Sequence, residues 1–139
     1  MRRELLDPLA PGGSRLYLTA VFDSRADSRR DEAQRVAAEE AALFCDGVFL
    51  LRPELRDAWD LAIFVRVTPE ESLRRALVRD AELLGPATDV EERYRTRYLP
   101  GQQLYLAEAS PLDHTDFVVD NDDPDQPRLS RPGPRDSPC

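Results

Sequence analysis

The chain has 139 residues, of which 41% are hydrophobic, and its 27 acidic residues outnumber 19 basic ones to give a net charge of −8. This length allows one domain with a hydrophobic core, and the acidic balance argues against nucleic acid or an anionic membrane as a partner. No apolar run is long enough to span a bilayer or to form the apolar region of a signal peptide, so the sequence predicts a cytoplasmic protein.

The first half of the chain contains three apolar runs that are typical of buried strands. Leu16–Phe22 is rich in β-forming residues and predicts a strand. Ala41–Cys45 and Leu61–Val67 suit strands of a parallel sheet, in which both faces are covered. Between them, Pro53–Trp59 has the composition of one or two helical turns.

The second half alternates helical patterns with a last strand. Thr68 suits the N-cap of a helix, with Pro69 in its first position, and this helix should run to about Leu84. Strands that alternate with helices predict an α/β layered fold. The remaining predicted segments are a helix at Asp89–Tyr98, an interruption at Pro100-Gly101, a resumed helix at Gln102–Glu108 and a strand at Phe117–Asp120.

The last part of the sequence, from Asp122 onward, consists almost entirely of Asp, Pro, Arg and Ser residues. Such a composition cannot bury enough apolar surface to offset the entropy of ordering the chain. The sequence therefore predicts one domain over residues 1–121 and a disordered, proline-rich tail over residues 122–139.

Asp46 is a candidate metal-binding residue. It precedes Gly47 at the carboxyl end of an apolar run, where open α/β sheets place functional groups, and a carboxylate there can hold Mg²⁺ through water. The alternative is that Asp46 caps a strand and Gly47 forms a turn.

Arg75 and Arg79 are candidate phosphate-binding residues. They stand four positions apart on one face of the predicted helix, so their guanidinium groups are able to converge on one phosphate. The alternative is a solvated ion pair, because Glu71 stands four residues before Arg75.

The run Arg93–Tyr98 mixes arginines with two tyrosines, a pattern also found in proteins that bind nucleic acid. Tyr94 and Tyr98 share one helix face, however, which favours packing in the core over nucleic-acid binding. The single histidine, His114, lies in a polar segment and is expected to be exposed.

These features follow one another in an order that resembles the uridine kinase and phosphoribulokinase-like nucleoside kinases. The resemblance covers roughly residues 16–121 and rests on order and spacing over several elements. The matching positions are Phe22-Asp23 for an aromatic-Asp pair after a strand, Asp46-Gly47 for an acid-glycine pair, Arg56-Asp57 for an Arg-Asp pair before the next strand, and Arg75, Arg79 and Asp80 for the R-x-x-x-R-D of a lid helix.

The sequence departs from this family in its phosphate-binding machinery. All 19 basic residues are arginines, and no pair of glycines has the spacing of the P-loop G-x-x-x-x-G-K-[ST], whose lysine reaches the terminal phosphates of a nucleotide. Arg66 also stands where the family often has an acidic residue. The resemblance implies a three-layer P-loop kinase-like parallel sheet whose first strand, with the P-loop and the catalytic base, lies upstream of Met1.

The function implied by the resemblance is ATP-dependent phosphoryl transfer to a nucleoside or a similar hydroxyl, in an N-terminally truncated form. Arg75 and Arg79 would bind ATP and stabilise the moving phosphoryl group, Asp46 would hold Mg²⁺, and Phe22 and Asp23 would contact the nucleoside. The alternative is a non-catalytic remnant that serves as a binding domain. A missing strand would also leave exposed strand edges, through which the chain is expected to self-associate.

Overall fold

The computed structural model describes residues 1–23, 26–81 and 85–132, and it has a mixed α/β fold with small sheets. The sequence predicted one domain. By its internal contacts the chain divides into two compact units, an N-terminal unit, Met1–Gly47, and a C-terminal unit, Val48–Cys139.

The N-terminal unit contains short elements in place of the long strand predicted at Leu16–Phe22, and that prediction is wrong. In the middle of the predicted strand, Leu18 N donates a hydrogen bond to Glu4 O at 3.0 Å, and Ala20 N donates one to the Glu32 carboxylate at 2.9 Å. Because these backbone N–H groups bond to Glu4 and Glu32, they are not available for hydrogen bonds to a neighbouring strand, and the strand does not continue. The elements are a π-helical turn Arg2–Leu6, helix α1 Asp7–Leu9, and strands β1 Leu16–Tyr17, β2 Phe22–Asp23, β3 Ser28–Arg29 and β4 Arg35–Val36, with β1 antiparallel to β4 and β2 antiparallel to β3.

The apolar run Ala41–Cys45 was predicted to be a buried strand, and this prediction is also wrong. The run has no regular structure, and the Phe44 side chain is 92% exposed. Among the described residues of this unit only Leu6 is a buried apolar residue. The unit therefore offers little core against which an apolar strand could be buried.

The C-terminal unit contains a three-stranded sheet in the order β5-β6-β7. The strands predicted at Leu61–Val67 and Phe117–Asp120 are confirmed as β5, Ile63–Arg66, and β6, Phe117–Asp120, which run parallel. A 3₁₀ turn at Arg56–Ala58 precedes β5, within the segment predicted to form a helical turn.

The third strand, β7, Arg128–Ser130, lies in the segment predicted to be a disordered tail, so that prediction is wrong for these residues. Strand β7 is antiparallel to β6, with Leu129 opposite Val119. One apolar residue facing an apolar neighbour is enough to fix the register of so short a strand. Residues 133–139 of the predicted tail lie outside the described residues.

The helix predicted to begin after Thr68 is confirmed as α2, Pro69–Arg79. Its N-cap is Thr68, whose Oγ1 accepts a hydrogen bond from Glu71 N, and Pro69 takes the first position, where a missing N–H costs nothing. The helix was expected to reach about Leu84, but α2 ends at Arg79, with Asp80 as its C-cap, and residues 82–84 lie outside the described part.

The second helical region runs without a break through Pro100 and Gly101, so the predicted interruption is wrong. A π-helical turn, Tyr94–Tyr98, ends two residues before Pro100 and widens the backbone where the proline ring would otherwise clash with a carbonyl of the preceding turn. The consecutive segments are α3 Ala87–Arg93, the π turn Tyr94–Tyr98 and α4 Leu99–Ala109, followed by a 3₁₀ turn Pro111–His114.

The core of the C-terminal unit consists of two clusters. In one, Leu51 packs with Tyr105 and Ala109, and Leu51 N donates a hydrogen bond to the Tyr105 hydroxyl at 3.2 Å. The other joins α2 to α3 through Ala76, Val90 and Tyr94. Tyr94 also meets Tyr98 edge-on, with ring centroids 5.0 Å apart, which confirms that these tyrosines pack in the core.

Candidate functional site

The candidate site lies where α2 begins beyond β5 and the chain leaves β6. Because β5 and β6 are parallel, their carboxyl ends lie at the same edge of the sheet, and both lead to this point. Thr68 N donates a hydrogen bond to Asp122 Oδ1 at 2.7 Å, and Thr68 Oγ1 donates to the same oxygen at 3.2 Å. A carboxylate of the chain itself therefore occupies the N-terminus of α2, where anions are favoured.

Arg75 connects α2 to the end of β6. Its Nε donates to Glu71 Oε1 at 2.6 Å, and its Nη2 donates to the backbone oxygens of Asn121 at 2.6 Å and Asp122 at 2.9 Å. The side chain is only 27% exposed. Arg75 therefore positions the helix against the sheet, and the ion pair with Glu71 that the sequence offered as the alternative is present.

Arg79 points to a different set of partners. Its Nε and Nη2 donate to the two carboxylate oxygens of Asp80 at 2.6 and 2.9 Å, and Nη2 also donates to the Tyr94 hydroxyl at 3.0 Å. The hydrogen bond with Asp80 raises the pKa of Arg79 and lowers that of Asp80. Desolvation, followed by the Asp80 charge, raises the pKa of Tyr94. This three-residue group holds the Arg79 guanidinium in one orientation.

Of the two arginines predicted to bind phosphate, Arg79 has the more exposed side chain. Its side chain is 68% exposed, and its Nη1 makes no hydrogen bond to any described residue. Arg75 and Arg79 thus have separate partners and do not form a shared cleft, although they stand four apart on one helix. The arrangement allows Arg79 to offer Nη1 donors to an anion while Arg75 fixes the helix that carries it.

The ion pairs of Glu71 with Arg74 and Arg75 make the stability of the fold depend on pH. Hydrogen bonds from Arg74 and then from Arg75 lower its pKa from 4.5 to about 2. Because the folded-state pKa is the lower one, the carboxylate stabilises the fold fully above about pH 4.5, and this contribution is lost as the pH falls towards about 2.

We therefore expect Glu71→Gln to lower the melting temperature at pH 7 by a few degrees and to reduce the difference between the melting temperatures at pH 7 and pH 3. Glu70→Gln, the same change at the preceding exposed position of the helix, is the matched control and should leave that difference unchanged. Thermal denaturation followed by circular dichroism measures both. If the melting temperature of Glu71→Gln depends on pH as that of the parent does, the ion pairs of Glu71 add no net stability.

The other predicted site residues belong to the N-terminal unit. Phe22 is exposed on β2, and Asp23 follows it, with Oδ1 accepting a hydrogen bond from Ala26 N at 3.1 Å. Asp46 is exposed in a segment without regular structure, so it does not end a strand as predicted. Within the described residues, no group of three or more His, Cys, Asp or Glu side chains is able to hold a metal ion.

Two features of the site could not be recognised in the sequence. Arg66 and Asp120 end neighbouring strands in the same register, and Arg66 Nη2 donates to Asp120 Oδ2 at 2.8 Å. Asp122, which caps α2, lay in the predicted tail. The charge pattern could have suggested the first pair only if the parallel register of β5 and β6 had been known.

No protein-family model matches this chain, and neither a curated protein nor a solved structure gives a match. Throughout the described ranges, every helix is too short or too polar to cross a bilayer.

Proposed function

We propose that this chain is the lid-bearing part of a cytoplasmic, uridine kinase-like phosphotransferase, which transfers phosphate from ATP to the hydroxyl of a nucleoside or a similar small molecule. The observation that carries the proposal is Arg79, which is oriented by Asp80 and Tyr94 while its side chain is 68% exposed and its Nη1 makes no hydrogen bond to any described residue. Within this R-x-x-x-R-D sequence, Arg79 has the largely exposed side chain and Arg75 positions the helix.

The order of elements around Arg79 supports the same proposal. Parallel strands β5 and β6 are joined through α2 and the helical region 87–109, as in a layered α/β sheet. The complete arrangement would be a three-layer P-loop kinase-like sheet. Phosphoryl transfer depends mainly on positioning and on stabilising charge, and an arginine directed at the transferring group supplies charge stabilisation.

The second candidate function is a non-catalytic binding domain. Three observations favour it: Arg75 is bound to Glu71 and to the backbone of Asn121, Asp122 occupies the N-terminus of α2, and the 139 residues contain no lysine. The DNA upstream of the Met1 codon distinguishes the two candidates. An in-frame G-x-x-x-x-G-K-[ST] supports the kinase, whereas a stop codon directly before Met1 contradicts it and supports the binding domain.

The 139-residue chain by itself is expected to bind Mg-ATP weakly and to phosphorylate no uridine, because a lid arginine supplies charge but no preorganised cradle for the phosphates. Isothermal titration with Mg-ATP and a uridine phosphorylation assay test this directly. Micromolar ATP affinity or measurable turnover would contradict the requirement for a P-loop outside these residues.

A further inference from the structure

One face of the three-stranded sheet in the C-terminal unit is apolar and exposed. We call it the apolar sheet face. Alternate residues of β5 and β6 lie on it, and Leu129 joins them because it stands opposite Val119. Val118, which points to the opposite face, is buried. The apolar sheet face consists of Leu61, Ile63, Val65, Phe117, Val119 and Leu129, and four of these side chains are more than half exposed: Leu61, Ile63, Val65 and Leu129.

The sequence of the strands indicates that this face is built to be covered. A strand with one wet face alternates apolar and polar residues, whereas Ile63, Phe64 and Val65 are apolar in succession. Phe117–Val119 has the same continuous apolar character. Continuous apolar runs of this kind belong to sheets that are covered on both sides.

The rim of the apolar sheet face narrows the choice of partner. Asp116 and Arg131, of opposite charge, line one concavity at the same end of the face, and Arg131 lies 5.8 Å from the centre of the Phe117 ring. None of the six face residues is charged, while the chain as a whole carries −8. The net charge of −8 disfavours a nucleic acid or an anionic lipid surface as the partner, and the uncharged face with its mixed rim adds no local repulsion against a second copy.

We propose that the apolar sheet face binds the same face of a second copy of this chain, in a two-fold symmetric dimer. Two sheets pack face to face about 10 Å apart. If the two-fold axis runs parallel to the strands, the same ends of both faces meet, and Arg131 of each copy lies across from Asp116 of the other. One surface then supplies both the apolar centre and the complementary charges.

The area of the apolar sheet face indicates how tightly the dimer is held together. A patch of this kind is on the order of several hundred Å². A stable interface of standard size buries about 800 Å² on each partner, so this dimer is expected to be reversible, with a dissociation constant in the micromolar range or weaker.

Sedimentation equilibrium of the full chain over a concentration series tests the dimer. Val65→Asp places a charge in the centre of the face and should weaken dimerisation at least tenfold, whereas Val78→Asp, the same change at an exposed position on α2, should leave it unchanged. Leu129→Asp should act like Val65→Asp, because both residues belong to the face. Association through the outer edge of β5 would be insensitive to Leu129→Asp. A parent chain that stays monomeric at about 1 mM would overturn the proposal.

A charge exchange keeps the test decisive even if an aspartate in a strand disturbs folding. Asp116→Arg and Arg131→Asp each place like charges across the interface, so each variant alone should dimerise at least tenfold more weakly than the parent. A mixture of the two variants restores both opposite-charge pairs and should form heterodimers. If the mixture stays monomeric while the parent dimerises, the two-fold arrangement proposed here is wrong.

Discussion

Removing the residues after Asp125 is expected to lower the melting temperature of the chain by about 10 °C. The cut deletes β7 and leaves β6 with β5 as its only neighbour in the sheet. The loss comprises the pairing of Leu129 with Val119 and the ladder hydrogen bonds of a three-residue strand, together about 2–4 kcal/mol. Because the cut leaves Asp122 in place, the cap of α2 and the contacts of Arg75 remain.

The control is a shorter deletion of residues 133–139, which leaves every described contact intact and should change the melting temperature by less than about 2 °C. Thermal unfolding of both deletions, monitored by circular dichroism, makes the comparison. If the two deletions melt at the same temperature as the parent, β7 contributes nothing to stability, which would support the disordered tail predicted from composition alone.

The elements that the sequence predicted correctly are those with a local physical signal. The N-cap of α2 could be predicted from the sequence because Thr68-Pro69 combines a capping side chain with a residue that suits the first helical position. Strands β5 and β6 could be predicted because each is a short apolar run bounded by polar residues.

Two of the errors share one cause, because the structure of each segment depended on a partner distant in sequence. Ala41–Cys45 has the same apolar character as the run that forms β5, but among the described residues it has no strand to pair with. β7 has the composition of a disordered segment and is nevertheless a strand, because the unpaired edge of β6 lies next to it. Propensity decides such segments only where no tertiary partner overrides it.

In the candidate site too, local features could be predicted from the sequence, whereas contacts between distant residues could not. The spacing of Arg75 and Arg79 placed both residues on one helix, and this is confirmed. Spacing could not show that Arg75 is held by the backbone oxygens of Asn121 and Asp122, because that contact depends on where β6 ends. Charge patterns thus locate an arginine on an element, but only the packing of neighbouring elements decides whether its donors remain available.

Arg79→Ala is expected to reduce turnover by at least about 10³-fold in a longer chain that carries these residues together with a P-loop. The reason is that the Nη1 donors of Arg79 would act on charge that develops on the transferring phosphoryl group, not on the nucleoside. The loss should therefore appear in kcat, with the KM for the nucleoside almost unchanged.

Two further variants separate this role from a structural one. Arg74→Ala removes another exposed arginine of α2, which pairs with Glu71, and should leave kcat within about threefold of the parent. Arg79→Lys keeps the charge but cannot pair with both oxygens of Asp80, so it should recover only part of the activity. Steady-state kinetics of the three variants, together with their melting temperatures, provide the test. Full activity of Arg79→Ala would leave Arg79 as a surface ion pair with Asp80 and would remove the observation on which the kinase proposal rests.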